Sequence, residues 1–152
     1  MITSGLGVNQ FTVSKPKLDP SYELSYLLGV LKGDACIYKT KYGRRYEYII
    51  QLGVRDKEFA EYFLDSIEKI FSRRVKIIQY RDDRNKLFYR VSMRSKTFFE
   101  WYGSKTNEDI YGIAKKFPNA FIKGVFDSEG NLCYFKSGMR SYPVVRICLS
   151  LT

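Results

Sequence analysis

Two short segments of the sequence combine apolar residues, a central glycine and a terminal acid in the same order. The first is LLGVLKGDA at residues 27–35, and the second is IKGVFDSEG at residues 122–130, an offset of 95 positions. In this alignment Asp34 of the first segment corresponds to Glu129 of the second. Paired carboxylates bind hard divalent cations and support chemistry on phosphate groups. The spacing marks Asp34 and Glu129 as candidate catalytic residues and metal ligands.

The central glycines, Gly29 and Gly124, explain how two such segments can meet. If both segments are helices, a glycine in each lets the backbones approach closely and cross about a pseudo-twofold axis. Asp34 and Glu129 then arrive together at the helix C-termini, where an anion is disfavoured by roughly 0.3–1 kcal/mol and the two carboxylates repel each other. A divalent cation removes both penalties. The residues alone therefore predict a metal site, with Mg²⁺ as the cofactor and Mn²⁺ or Ca²⁺ able to replace it for binding.

Composition excludes several other kinds of chemistry. The 152 residues include no histidine, which excludes Ser-His-Asp and Cys-His catalysis and an imidazole zinc site. The three cysteines lack a CxxC pair and predict buried free thiols. No apolar run approaches the roughly 18 residues of a membrane span, and the N-terminus lacks the order of a signal peptide. We expect an intracellular protein, in the cytoplasm or an organellar matrix, that has no membrane partner.

Apolar periodicity predicts an α+β fold that brings these residues together. The predicted elements, in chain order, are a buried helix capped by Asp19 and Pro20, two strands within 36–55, a helix capped by Asp56, strands at 74–81 and 87–93, a short helix at 96–102, a polar link at 103–109, a helix from Pro118 to Glu129, and a hairpin around 136–141. The second strand alternates, so that Tyr48, Ile50, Leu52 and Val54 share one face.

Basic and acidic side chains are concentrated in different predicted elements. Lys and Arg total 26 against 16 Asp and Glu, a net charge of +10. Residues 38–57 carry six basic and two acidic side chains and residues 73–96 carry nine and two, whereas the helix at 56–71 carries five acids and two lysines. This segregation predicts a sheet with one basic face for a polyanion, and a two-stranded ribbon fits the DNA major groove.

The candidate DNA-binding residues are the polar side chains predicted to point outward from the ribbons. They are Lys39, Lys41, Arg44, Arg45, Gln51, Arg55, Lys76, Gln79, Arg81, Arg90, Arg94, Lys136, Arg140 and Arg146. For any single member, simple solvation is an equally good interpretation.

The two motifs, each followed by a basic hairpin, resemble the LAGLIDADG homing endonucleases of the two-motif, monomeric type. The first motif departs from that pattern at Ala35, whereas the second keeps its last glycine, Gly130. The resemblance covers roughly residues 20–152 and implies an αββαββα repeat with pseudo-twofold symmetry. It also implies that Asp34 and Glu129 hold the metal together with scissile phosphates and waters. The expected activity is that of an intron- or intein-associated, site-specific endonuclease that cuts double-stranded DNA over a long target, with one acid for each strand.

Two basic residues near the predicted metal site are further catalytic candidates. Arg55 and Lys57 directly follow the long strand, where they could position water or balance phosphate charge. An ordinary strand-end cation and a surface lysine remain the alternative interpretation.

The resemblance divides the chain into an N-terminal arm at 1–18, a first half at 19–117 and the start of a second half at 118–152. On this resemblance we expect an incomplete second repeat, because the sequence stops at the position equivalent to Arg55. We expect a monomer if the chain is complete, and otherwise a second copy or a missing segment.

Two other functions use the same scaffold. One is an RNA-splicing maturase, whose partner is intron RNA, and the other is a DNA-binding regulator that does not cut. A third alternative is a basic α+β interaction domain with an accidental repeat, for which no metal dependence is expected.

Overall fold

The structure is a computed structural model that describes residues 15–129, 131–137 and 140–146. The described part is an α+β fold of helices and antiparallel strands. Its helices are α1 (Tyr22–Val30), α2 (Lys57–Phe71), α3 (Lys96–Gly103), α4 (Asn107–Ala114) and α5 (Pro118–Glu129). Its strands are β1 (Cys36–Tyr42), β2 (Arg45–Val54), β3 (Ile78–Arg81), β4 (Leu87–Arg94), β5 (Asn131–Ser137) and β6 (Arg140–Arg146).

Four strands form one antiparallel sheet in the order β1-β2-β4-β3. Ile50 pairs with Met93 and Leu52 with Val91, and all four side chains are buried. Directly paired residues share a face of the sheet, so this face carries the core. Helices α2 and α3 pack against its strands. The opposite face, called the open face below, includes Gln51 and the residues that share its side of the sheet. The predicted alternation of β2 is confirmed.

Helix α1 is buried on several sides. Leu24, Tyr26, Leu27, Leu28 and Val30 are fully buried, and the helix contacts α2, α4 and α5. Such all-round burial explains why its sequence is apolar without an amphipathic pattern.

The predicted start of α1 is wrong by two residues. Ser21, not Asp19, caps the helix, because its hydroxyl accepts a hydrogen bond from the Leu24 N–H at 3.1 Å. Pro20 therefore precedes the helix and does not occupy its first position.

Helix α2 is the amphipathic helix that the sequence predicts. The Asp56 carboxylate accepts from the N–H groups of Glu58 and Phe59 at 2.9 and 3.3 Å, which satisfies two donors of the first turn. Phe59 and Phe63 are buried against the core, while Asp65 on the opposite face is exposed.

Three further predictions need correction. The link at 103–109 contains the start of α4, whose capping box joins the Thr106 hydroxyl to the Asp109 N–H and the Asp109 carboxylate to the Thr106 N–H. Strand β3 begins only at Ile78, because Val75 and Ile77 pack against the core without entering the ladder. Cys36 is exposed, contrary to the predicted burial of the thiols.

The second motif helix, α5, is followed by its own hairpin. Strands β5 and β6 pair from Asn131 with Arg146 to Ser137 with Arg140. Lys136, Arg140 and Arg146 therefore lie on this hairpin, as predicted. Residues 147–151, the predicted equivalent of the end of β2, lie outside the described residues, as does most of the predicted arm at 1–18. Within the described part of the chain, every helix is too short or too polar to cross a membrane.

Candidate functional site

Helices α1 and α5 cross at the two glycines of the repeat. A methyl group on Gly29 would overlap the carbonyl oxygen of Phe121 and lie 3.1 Å from the Cα of Gly124. Reciprocally, a methyl group on Gly124 would overlap the carbonyl oxygen of Tyr26 and lie 3.1 Å from the Cα of Gly29. The reciprocity shows that the two helices meet about a pseudo-twofold axis. Only glycine at both positions permits this backbone approach.

The crossing brings the C-terminal ends of the two motif helices together. The hydroxyl of Ser128 accepts a hydrogen bond from the backbone N–H of Asp34 and donates to the carbonyl oxygen of Val30 at 3.3 Å. Ser128 directly precedes Glu129, the last residue of α5. The backbones of the two predicted acids therefore lie at the same end of the helix pair. The Asp34 side chain is exposed, and the side chain of Glu129 lies outside the described part.

A second contact locks the last turn of α5 against α1. The buried Tyr26 phenol donates to Asp127 Oδ2 at 2.9 Å, and Lys123 Nζ lies 3.1 Å from the same oxygen. Burial, followed by the charge of Asp127, raises the pKa of Tyr26 well above its usual value. The phenol is therefore a neutral donor across the ordinary pH range.

Lys123, which lies beside Asp127, also contacts α2. Its ammonium group lies 4.6 Å from the centre of the Tyr62 ring. A hydrogen bond from the Tyr62 hydroxyl to that of Tyr22, followed by partial burial, raises the pKa of Tyr62 to about 12.

The donor chemistry at the helix ends suits a hard divalent cation. Asp34 and Glu129 offer only oxygen ligands, and the exposed Asp34 side chain can be reached from solvent. Among the described residues, no group of three or more His, Cys, Asp or Glu side chains is arranged to hold a metal ion by itself. A metal held here by Asp34 and Glu129 would need further oxygen ligands. This chemistry fits a bound phosphate and water.

Arg55 lies between β2 and α2, and Lys57 lies at the start of α2. Because Cys36 pairs with Gln51, the start of β1 lies beside the end of β2, so Arg55 is at the same end of the sheet as Asp34. Lys57 is the first residue of α2, and both side chains are exposed. The structure brings both cations to this end of the molecule.

The open face of the sheet carries a basic groove of about 470 Å³. Arg73, Lys76, Arg90 and Arg94 line it together with Gln51 and Ser92. Arg73 is absent from the predicted set, although it lies in the basic segment at 73–96. Its guanidinium group donates to the Met93 sulfur at 2.8 Å and to the Arg94 carbonyl at 3.2 Å, which holds it beside β4.

Hydrogen bonds fix the orientation of Gln51 at the centre of the open face. Its Oε1 accepts from the Tyr38 hydroxyl at 3.1 Å and from the Ser92 hydroxyl at 3.0 Å. Beside it, the guanidinium group of Arg90 lies 5.3 Å from the Tyr80 ring centre. With the carbonyl oxygen used by two hydroxyls, the amide NH₂ of Gln51 is the end that can meet a ligand.

The prediction of a single basic face is wrong for four residues. They pair with residues of the core-bearing face, so they lie on that side of the sheet: Lys39, Lys41, Gln79 and Arg81. Lys39 and Lys41 follow Ile37 at intervals of two residues, so they lie on the same face of the sheet as Ile37. A shift of one residue along a strand would place them on the opposite face.

Lys39 illustrates this placement. Its ammonium group lies 4.2 Å from the ring centre of Tyr46 and 5.7 Å from that of Tyr48, which is its strand partner. Arg45, Gln51, Arg90 and Arg94 lie on the open face, and Arg44 lies in the exposed turn between β1 and β2. The predicted set is therefore divided between two faces.

Comparison with known sequences gives two uncharacterised relatives, and no family model matches this sequence. The uncharacterised protein MJ0314 of Methanocaldococcus jannaschii is 36% identical over 137 residues, which are 88% of this chain and 50% of that protein. The uncharacterised protein MJ0398 of the same organism is 32% identical over 126 residues, which are 82% of this chain and 45% of that protein. The chain spans about half the length of these relatives.

Comparison with solved structures identifies the fold. A structure of mesophilic variants of the homing endonuclease I-DmoI matches with a TM-score of 0.51 at 25% identity. The match covers 72% of this chain and 62% of that chain. The α+β architecture described above is therefore that of a homing endonuclease.

Proposed function

We propose that this chain is a metal-dependent, site-specific endonuclease of the LAGLIDADG homing type that cuts double-stranded DNA. The observation that carries the proposal is the crossing of α1 and α5 at Gly29 and Gly124, with Asp34 beside the end of α5. An acid from each motif at one point on a basic protein is an arrangement suited to phosphodiester hydrolysis. The structural match to a homing endonuclease supports the same activity.

The proposed metal ligands are Asp34 and Glu129, with Mg²⁺ as the cofactor. When bound, such an ion lowers the pKa of a coordinated water and stabilises negative charge on the phosphate oxygens. Asp34 and Glu129 would hold the ion at the shared end of α1 and α5, where Asp34 is exposed to solvent. Arg55 and Lys57 are proposed to offset the phosphate charge at the same end of the sheet.

The proposed DNA surface is the open face of the sheet. Its groove presents Arg73, Lys76, Arg90 and Arg94 to phosphates, and two-stranded ribbons of this kind fit the major groove. The Gln51 NH₂ can donate to acceptors on base edges, such as N7 of a purine or O6 of guanine. Arg44 and Arg45 extend the basic surface along the turn between β1 and β2.

The test is cleavage of a supercoiled plasmid that carries, without interruption, the gene sequence flanking the coding region of this protein. The wild type is expected to linearise it with Mg²⁺ and to leave it intact with EDTA. Asp34→Asn removes one negative metal ligand but keeps the size of the side chain, so cutting of at least one strand is expected to fall by a hundredfold or more while DNA binding persists.

Asp83→Asn, at the exposed turn between β3 and β4, is the matched control and is expected to cut normally. Wild-type binding without cutting in any divalent metal would favour a maturase or regulator. Loss of DNA binding in Asp34→Asn would contradict the catalytic assignment.

A further inference from the structure

We propose that Ser128 is a positioning residue that holds the backbone of Asp34, and that it acts on one of the two acids only. The proposal rests on the proposed function, because it concerns the acid of the first motif. It adds that the two halves of the site are held by different contacts.

The turn that follows α1 directs the Asp34 N–H towards α5. The N–H groups of Gly33 and Ala35 both donate to the carbonyl oxygen of Val30, at 3.0 and 3.2 Å. The N–H of Asp34, between them in sequence, donates to the Ser128 hydroxyl. The residue that carries the first acid is therefore attached, through its own backbone, to the second motif.

The Ser128 hydroxyl holds both ends of this turn. It accepts from Asp34 and donates to Val30 at 3.3 Å, so that one side chain bridges the last helical residue and the acid four residues later. A hydroxyl provides both a donor and acceptors, and both functions are used here. An alanine would leave the Asp34 N–H without this acceptor.

The residue of the first motif that aligns with Ser128 cannot make the same contact. With the offset of 95, Ser128 aligns with Gly33, which has no side chain to accept a bond from the backbone of Glu129. The preceding pair also differs, since Asp127 bonds to Tyr26 whereas the aligned Lys32 donates to Asn107 Oδ1 at 2.8 Å. The pseudo-twofold symmetry seen at the two glycines therefore fails at the two residues before each acid.

The expected consequence is a strand-specific defect. Loss of a residue that orients a metal ligand costs roughly 10- to 100-fold in metal affinity or activity. Because each acid is assigned to one strand, Ser128→Ala is expected to slow one cut about tenfold or more relative to the other. A nicked intermediate should then accumulate.

The cleavage test uses a duplex of the target with a different fluorophore on each strand, and cutting of each strand is followed over time with Mg²⁺. Ser128→Thr keeps the hydroxyl and is expected to restore the wild-type ratio of strand rates. Ser104→Ala is the matched control, since that hydroxyl donates only within its own helix end, to Trp101. Equal slowing of both strands, or no slowing, would overturn the proposal.

A second readout needs neither metal nor cleavage. Amide hydrogen exchange of Asp34, measured by NMR on the free protein, is expected to speed up about tenfold or more in Ser128→Ala and to stay slow in Ser128→Thr. Unchanged exchange in Ser128→Ala would overturn the proposal. If exchange of the Asp34 amide is faster in Ser128→Ala but the wild type never cuts DNA, the contact is confirmed and the proposed endonuclease function is refuted.

Discussion

At the scale of single residues, Gly29 and Gly124 decide how closely α1 and α5 approach, and so where the two acids lie. Neither glycine has a positive φ, so the requirement is steric and not conformational. A methyl group added to either glycine would meet backbone atoms of the other helix, and these cannot rotate away as a side chain could. Function and stability therefore depend on the same two positions.

Gly29→Ala is expected to lower the free energy of unfolding by about 1–3 kcal/mol, because the added methyl group forces the helices apart. Gly112→Ala is the matched control, since nothing lies within 4 Å of the added methyl group on α4. That control is expected to be neutral or to stabilise the protein by up to about 1 kcal/mol through helix propensity. Urea denaturation measures the free energy of unfolding of both variants. Equal values would show that the helix crossing has room for a methyl group at Gly29.

The sequence predicts the acids and glycines because they recur at a constant offset. It does not predict Ser128 or Asp127 as contacts of the first motif. Their partners, Asp34 and Tyr26, are 94 and 101 residues away in sequence and become neighbours only once the helices cross. The repeat identifies only residues that the two motifs have in common, whereas Ser128 and Asp127 align with different residue types in the first motif.

At the scale of elements, strand parity decides which cations face a common ligand. The sequence predicts the hairpins and the basic character of the sheet, but not the parity of β1 and β3. Parity follows from register, which depends on the pairing of Ile37 with Ile50 and of Gln79 with Tyr89. The sequence also fails to predict the start of α4, because only its capping box distinguishes Thr106 to Asp109 from a polar loop.

The two faces of the sheet are expected to differ in DNA binding. Arg90→Ala, on the open face, should reduce the slope of log K against log salt by about 0.9, the value for one lost phosphate contact. Lys39→Ala should change the slope less, because Lys39 lies on the opposite face beside Tyr46. Fluorescence anisotropy with a labelled 30-base-pair duplex at several salt concentrations measures both slopes. Equal slopes for the two variants would argue against the open face as the DNA surface.

At the scale of the whole molecule, buried phenols make stability depend on alkaline pH. The pKa of Tyr26 is raised by burial and by Asp127, so the folded protein keeps this phenol neutral at pH values where the unfolded chain ionises it. This contribution to stability is complete below pH 10 and is lost as the pH rises further. Tyr62, with a pKa of about 12, contributes in the same direction between pH 10 and 12.

Tyr26→Phe is therefore expected to flatten the loss of stability above pH 10. At pH 7 the variant loses one hydrogen bond to a charged group, worth about 1.5–3 kcal/mol, and the difference from wild type should shrink as the pH rises. Tyr42→Phe is the matched control, because that side chain is 76% exposed. Thermal unfolding from pH 7 to 12 measures the trend, and a constant difference between Tyr26→Phe and wild type would contradict it.

The helix crossing also governs the order in which the molecule can form during synthesis. Gly29 and Gly124 are 95 residues apart, and at roughly 5–20 residues per second the ribosome needs about 5–20 s to make the second after the first. Through that interval α1 can pack on α2, but its glycine surface has no partner. The two acids can therefore meet only after the second motif has been synthesised, when the first sheet has had time to fold.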